Sequence, residues 1–449
     1  MVNTVVSFDK FVDSISLTQT QVNRIDSAQG ALGSYLVKTY GLNESDVFLQ
    51  GSFANGTAIK PIDGGEYDVD IICVCADLGE SAKAALEGLF DKLSEHGTYR
   101  DRLVPKTPCV RVEYADDYSG SFHVDVVPVR VCQGDSTAPL DAPRRNAGWH
   151  PTAPGEYTDW CAAQGEQFRR TVKIFKRWRN EHQDVKKAIK SIVLQVLISE
   201  NMSTLSDDGE RIKAILDQLH SVLSPLSSAP VISNPVLADE NLAARWDDAS
   251  FKDFKKELSE ACGLAADAIA SVDAVEAAEK WRELLGESFP LPAKADFGIQ
   301  LADSSHMQSP AAMGWYEALD NRYRIAVTAR EQRGRRGKWS VYPSDGPLLF
   351  AGKSLQFQAA VTSPGFYEIW WRVTNTGGHA RSVSGLRGGF FKAKALSGRL
   401  SPDESVNWEN TSYTGSHLVE AFLVLGDRVV ARSEPMTVNI YNPANRFAL

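Results

Sequence analysis

Asp68 and Asp70 sit two residues apart in Tyr67-Asp68-Val69-Asp70-Ile71-Ile72-Cys73-Val74-Cys75, an aliphatic run that reads as a buried strand. Side chains two apart on a strand share a face, so this run sets two carboxylates side by side in apolar surroundings. Left unneutralised they would repel each other and be costly to desolvate. A divalent cation removes both difficulties, and hard oxygen ligands suit Mg2+, with Mn2+ as an alternative. Upstream, Gln50-Gly51-Ser52-Phe53 marks a strand-to-helix turn. Glycine there lets the backbone approach closely, and Ser52 with the free helix N–H groups can hold phosphate oxygens. Downstream, Asp125 interrupts the aliphatic His123-Val124-Asp125-Val126-Val127. Three aspartates on adjacent strands plus a phosphate-holding turn fit two-metal phosphoryl transfer. One ion would bind a donor triphosphate through Asp68 and Asp70, and the other, bridged to Asp125, would activate an attacking hydroxyl. A lone Asp-x-Asp is commonly solvated or caps a loop; the combination is what points to catalysis. His123 shares the face of Asp125, either near the metals or as a hydrogen-bonded structural histidine.

The elements around these residues alternate in type. A helix is expected over 18–39, a short strand over 46–50, the Asp68 strand over 67–75 and a helix over 81–95. Strands over 109–114 and 121–131 follow, joined as a hairpin through Asp116, Asp117, Ser119 and Gly120. A long connection over 134–154 leads to helices over 156–181, 185–200, 209–223 and 250–285. The chain of 449 residues then changes in composition, and short alternating runs at 324–327, 355–359, 367–373 and 418–425 suggest a β-sandwich. The organisation expected is a catalytic core over 1–150, a helical domain over 151–290 that completes the cleft, a linker over 291–310 and a β-rich domain over 311–449.

Charge divides along the same line. The total of -9 combines a balance of -15 before Ala311 with +6 from Ala311 onward. So acidic an N-terminal part argues against coating duplex nucleic acid, which needs a strong basic face. No apolar run reaches the length of a membrane span, and the N-terminus has no basic region followed by an apolar core. With six cysteines and no Cys-x-x-Cys pair, buried free thiols in a cytoplasmic protein are expected, with no direct membrane insertion.

Gly51-Ser52, the intervening Gly56-Thr57-Ala58-Ile59-Lys60-Pro61, Asp68-Val69-Asp70 and Asp125 resemble the polymerase-β-type nucleotidyltransferases. Within them the chain is similar to the bacterial CD-NTases, relatives of cyclic GMP-AMP synthase and oligoadenylate synthase. Trp149-His150-Pro151-Thr152-Ala153-Pro154 resembles the segment after the third aspartate in those enzymes, while Asp63-Gly64-Gly65 is a small insertion before the Asp68 strand. The resemblance implies an α+β fold: a nucleotidyltransferase core, a helical oligoadenylate-synthase-like domain and a β-sandwich-like C-terminal domain. It also implies that Lys176, in Phe168–Trp178, reaches the donor triphosphate and that Ser191 contacts phosphate. Gln50, Gly51 and Ser52 complete the nucleotide-binding set. Arg169, Lys173, Lys176 and Arg177 collect on one face of that helix, which taken alone reads as a solvated basic face.

Tyr367–Gly378 resembles the strand and turn of the C-terminal sensor domain often fused to such synthases. Arg381, Arg387, Lys392 and Lys394 with Trp370, Trp371, Phe390 and Phe391 could form an anion-binding and base-stacking surface; alternatively the aromatics are sandwich core and the cations are solvated. The resemblance implies a synthase that joins ATP and other NTPs into a cyclic di- or trinucleotide for antiphage (CBASS) signalling. A separate effector protein would respond to the product, and the C-terminal domain would bind a nucleotide. The competing readings are an enzyme making linear oligonucleotides or modifying a protein or tRNA, and a nucleotide sensor without useful catalysis. The C-terminal Asn445-Arg446-Phe447-Ala448-Leu449 lacks the small last residue expected for tail conjugation.

Overall fold

The structure, a computed structural model, describes residues 5–62, 67–114, 122–132, 138–271, 273–292, 304–333 and 338–442. The Asp63-Gly64-Gly65 insertion, the Asp116–Gly120 turn, most of the expected linker and the tail Asn445–Leu449 lie outside the described residues. The chain divides into two compact units, residues 1–290 and 291–449.

The first unit opens with α1 (Val5–Ile15) and α2 (Gln19–Tyr40), followed by β1 (Val47–Gln50), α3 (Gly51–Ala54), β2 (Tyr67–Val74) and α4 (Ala82–Ser94). Thr18 caps α2 through a capping box with Gln21, and Gly41 ends it in the left-handed region. β3 (Leu103–Pro105), β4 (Val110–Tyr114) and β5 (Phe122–Val131) complete the central sheet, with β6 (Leu140–Arg144) and β7 (Gly148–Thr152) at its end. Strand order is β1-β2-β5-β4-β3, with β2 and β5 parallel and the other neighbours antiparallel.

Alternation along β2 and β5 divides the sheet into two faces. Val69, Ile71, Val124 and Val126 point into a core with Ile25, Leu32 and Leu36 of α2 and Leu89 and Leu93 of α4. Burying each such side chain stabilises the sheet by about 1.5–3 kcal/mol, which fixes the register and forces the intervening residues onto the opposite face.

The helical part comprises α5 (Pro154–Ala163), α6 (Gly165–Glu181), α7 (Gln183–Ala188), α8 (Ser191–Glu200), α9 (Asp208–Leu223), the hairpin β8 (Ser233–Asn234) and β9 (Leu237–Asn241), α10 (Asp248–Ala270) and α11 (Ala274–Leu285). Three continuous helices expected from the sequence are each two. The first breaks at Gly165, whose φ of 84° needs glycine; the second breaks where Ile189 and Lys190 are extended, and the third at the extended Ser271. Phe8 and Phe11 of α1 join Trp281 of α11 and Phe289 in an aromatic cluster. Among the described residues no helix is long and apolar enough to cross a membrane. The six cysteines are free thiols.

The second unit contains β10 (Tyr316–Glu317), β11 (Arg324–Arg333), β12 (Lys338–Tyr342), β13 (Leu349–Phe350), β14 (Ser354–Thr362), β15 (Glu368–Thr374), α12 (Gly378–Ser382), β16 (Phe390–Phe391), β17 (Val406–Asn410), β18 (Gly415–Leu425), β19 (Arg428–Arg432) and β20 (Met436–Tyr441). One sheet runs β10-β19-β18-β15-β16, with β20 on β18 and β13 on β20; the other runs β12-β11-β14-β17. Ile325, Ala329 and Phe357 of the second sheet share a core with Trp371, Val419 and Val438 of the first. The result is the β-sandwich that the sequence pattern suggests.

Candidate active site

The face of the central sheet turned away from α2 and α4 carries the polar residues. Strand pairing aligns Gln50 with Asp70, Asp70 with Asp125, and Asp125 with Arg111, a row across β1, β2, β5 and β4. The next row aligns Asp68 with His123 and His123 with Glu113. Further along the strands the same face turns apolar, with Ile72, Val127 and Cys109 buried together. The carboxylates therefore occupy one end of the sheet.

Each carboxylate has a distinct environment. Asp68 is exposed and pairs with the Nε2 of the buried His123. That hydrogen bond holds its carboxyl below the usual range. Burial pulls the His123 imidazole down, but the Asp68 hydrogen bond and charge outweigh it, and its pKa is raised. Asp70 is pushed up to about 7, chiefly by burial and then by the Asp125 and Asp68 carboxylates. Asp125 is gripped at both oxygens by Arg111, Nε to Oδ1 at 2.8 Å and Nη2 to Oδ2 at 2.9 Å. Gly51 begins α3 with φ of 76°, and a Cβ there would run into the Asp70 carboxylate. The turn thus brings bare backbone against an acid.

A cavity of about 830 Å³ opens on this end of the sheet. Gln50, Gly51, Ser52, Asp68, Asp70, Lys176 and Ser191 line it together with Thr152 and Pro154; Asp125 lies beside Asp70 and is not among the lining residues. Lys176 comes from α6, whose Phe168, Val172, Phe175 and Trp178 are buried. Its half-buried Nζ donates to the Thr57 carbonyl at 2.9 Å. Burial, with Arg179 next, lowers its pKa to about 8. Ser191 is the first residue of α8.

The basic side chains of α6 do not form a solvated face. Arg177 is buried and donates to the Lys60 carbonyl at 2.9 Å, Arg169 binds Glu166 at 2.8 Å, and burial lowers the pKa of Lys173. Several lining residues escaped the sequence reading: Arg179, Lys186, and Asn234 with Glu240 on the β8–β9 hairpin. Arg179 follows Lys176 by three residues on one helix, a spacing that places both on adjoining positions. Arg111 looked like any cation within a strand, because nothing local specifies that it faces Asp125.

The donor chemistry fits a hard divalent cation at Asp68 and Asp70. Their oxygens are hard ligands, and Asp70 suffers the repulsion that such an ion relieves. Among the described residues no three His, Cys, Asp or Glu side chains converge as a ready cage. At Asp125 both carboxylate oxygens are taken by Arg111.

Comparison with known proteins agrees with the fold and the motifs. Residues 2–164 match the Second Messenger Oligonucleotide or Dinucleotide Synthetase (SMODS) domain family. Residues 302–441 match the Adenylyl/Guanylyl and SMODS C-terminal sensor domain family. A c-di-GMP synthase of Roseivirga ehrenbergii is 26% identical over 53% of this chain and 72% of that protein. A cyclic AMP-AMP-AMP synthase of an Acinetobacter species is 26% identical over 64% and 85%. Among solved structures, CdnC of E. coli MS115-1 with ATP aligns with a TM-score of 0.52 at 18% identity, over 64% of this chain and 98% of that one. The CD-NTase CdnG of Bradyrhizobium diazoefficiens with GTP aligns at 0.52 and 16%, over 64% and 95%; these two likenesses concern the fold. The SMODS match and the cyclic-nucleotide synthases among its relatives make the chain a nucleotidyltransferase. It carries a SMODS domain followed by a C-terminal AGS-C sensor domain, and in this it is similar to the bacterial CD-NTases.

Proposed function

We propose that this nucleotidyltransferase joins NTPs, ATP among them, into a cyclic di- or trinucleotide second messenger for antiphage (CBASS) signalling. The observation that carries the reading is the alignment of Asp70 with Asp125, beside Asp68, at the wall of a cavity that also holds Ser52, Lys176 and Ser191. Cyclic-nucleotide synthases among the relatives support the product class.

In this account a hydroxyl of one nucleotide attacks the α-phosphorus of another, the new P–O bond forms and pyrophosphate leaves. A second attack closes the ring. Two Mg2+ ions, replaceable by Mn2+, would neutralise the triphosphate and activate the hydroxyl. Asp68 and Asp70 would hold them, and Asp125 could contribute only if its oxygens were freed from Arg111. The Gly51-Ser52 turn next to Gln50 takes phosphate oxygens through backbone N–H groups and the Ser52 hydroxyl. Lys176 and Ser191 meet the triphosphate from the helical side. A separate effector protein responds to the product, and the C-terminal unit binds a nucleotide.

The test is incubation of the full chain with labelled NTPs and Mg2+ or Mn2+, followed by phosphatase. A labelled species that survives, lacking terminal phosphates, is the expected result. Label confined to linear, phosphatase-sensitive products or carried on the polypeptide would refute cyclisation.

A further inference from the structure

The hairpin of β8 and β9 brings to the cavity a carboxylate that takes no part in the proposed transfer. Ser233 pairs with Asn241 and Asn234 with Leu237, so residues 238–240 have no partner across the ladder and bulge from it. Glu240 thereby escapes strand alternation and folds back onto Asn234, whose Nδ2 donates to Glu240 Oε2 at 2.7 Å. The hairpin is held at both ends. At its base the Asn241 Oδ1 accepts from the Ile232 and Ala243 N–H groups at 3.1 and 2.9 Å. At its turn Leu237 is buried against Ala138 and Ala153. Ala153 lines the cavity with Thr152 and Pro154, as do Asn234 and Glu240.

Hydrogen bonding settles which way the Asn234 amide points. Its Oδ1 accepts from the Val236 N–H at 3.0 Å, so the end that meets Glu240 is the NH2 group. One hydrogen goes to Glu240, and the second has no acceptor among the described residues although Asn234 is only 7% exposed. A buried donor of this kind is costly unless something accepts from it. Glu240 is exposed, and among the described residues no Lys, Arg or His pairs with it. The pair therefore offers the cavity one donor beside two carboxylate oxygens that only accept.

The rest of the wall decides which part of a nucleotide comes here. Lys176 and Arg179 stand on α6 and Lys186 on α7. Arg179 donates to the Ile189 and Lys186 carbonyls and to the Asn180 side chain, none of them charged. Phosphates are drawn to these cations and repelled by Glu240. The attacking hydroxyl has to reach Asp68 and Asp70. What remains for Glu240 and Asn234 is the edge of a base. Guanine alone among the four bases carries two adjacent N–H donors, N1 and N2, beside an acceptor, O6, and so satisfies all three groups. Adenine and cytosine each set a ring-nitrogen lone pair beside their amine, against a carboxylate oxygen. Uracil has a single N–H between two carbonyls.

We propose that Glu240 and Asn234 read the base of one of the nucleotides being joined and select guanine, with Glu240 accepting from N1–H and N2–H and Asn234 donating to O6. The proposal rests on the reading of this cavity as the NTP site and names a base that the reading leaves open.

The experiment titrates the full chain with GTP, ITP, ATP and UTP, with Ca2+ in place of Mg2+ to slow turnover, and analyses by mass spectrometry the product made from all four NTPs with Mg2+. ITP is GTP without the N2 amine. GTP is expected to bind roughly ten- to hundredfold more tightly than ITP, the worth of one hydrogen bond to a charged group, and guanine is expected in the product. Glu240→Gln, a change at an exposed position, should bring that ratio close to one without moving the melting temperature, because its amide sets an N–H against a base N–H. Asn234→Ala should weaken GTP and ITP together, since both carry O6. A GTP-to-ITP ratio near one in the unsubstituted chain, or a ratio that Glu240→Gln leaves unmoved, would overturn the assignment. Equal weakening of all four NTPs by Glu240→Gln would put the carboxylate on the ribose and overturn the base reading. A cyclic product without guanine would sink this proposal and leave the synthase standing. No binding of any NTP would sink both.

Discussion

Arg111 and Asp125, directly opposite on neighbouring strands, form a two-point ion pair with both contacts under 3 Å. The guanidinium stands where a cation would stand if Asp125 were a metal ligand. Arginine and metal therefore compete for the same two oxygens. Removing the guanidinium with Arg111→Ala should tighten Mn2+ binding in the absence of nucleotide, measured by electron paramagnetic resonance. The expected gain is about two- to fivefold, the span of a partly exposed ion pair. Weaker Mn2+ binding in that variant would contradict the competition.

Asp70 links the site to stability. Its carboxyl titrates near 7 when folded against 3.8 for the free side chain. The folded protein therefore keeps a proton that the unfolded chain releases, and stability falls as pH rises from about 4 through 7. Asp70→Asn removes this penalty. In EDTA its melting temperature should exceed that of the unsubstituted protein at pH 8, and the gap should close towards pH 4. A gap that does not change with pH would show that Asp70 is not strained by burial and its neighbours.

Lys176 gives a pH signature of opposite origin. Burial lowers its pKa to about 8, so the free enzyme loses the charge proposed to bind phosphate as pH rises through that value. The kcat/KM for NTP should fall above about pH 8. Lys176→Arg, which keeps its charge, should abolish that limb, and Lys176→Met should lower kcat/KM roughly 10- to 100-fold at pH 7. An unchanged limb in the arginine variant would assign it to another group.

Gly51 is constrained twice, by its positive φ and by the nearby Asp70 carboxylate. Gly51→Ala should destabilise the protein by about 1 kcal/mol or more, seen as a melting temperature lowered by a few degrees. It should also reduce activity more than Gly56→Ala, whose Cβ would meet only the movable end of Arg169.

Much of this was legible in the sequence because it follows from alternation. Asp68 and Asp70 break an apolar strand at a spacing of two, and that alone puts them on one face. The sandwich of the C-terminal unit was legible for the same reason. Register between strands was not: Arg111 and Asp125 are brought opposite by the antiparallel pairing of β4 with β5, and no local pattern encodes that. α1 was missed although Phe8, Phe11, Val12 and Ile15, all buried, follow helical spacing. The β8–β9 hairpin, two residues paired with five, is too short to leave a period. In the C-terminal unit Trp371 and Trp370 are neighbours in sequence, and strand alternation sends them to opposite faces. That is why the expected stacking surface divides, with Trp371 buried in the core and Trp370 packed against Trp315.

The central claim is that Asp68 and Asp70 carry nucleotidyl transfer into a cyclic product. The most direct measurement compares the unsubstituted chain with Asp68→Ala/Asp70→Ala, given all four NTPs and Mg2+, by mass spectrometry of the products and by pyrophosphate release. The account predicts a cyclic di- or trinucleotide and stoichiometric pyrophosphate from the unsubstituted chain. It predicts neither from the double variant while that protein remains folded. Full synthesis in the double variant would contradict it.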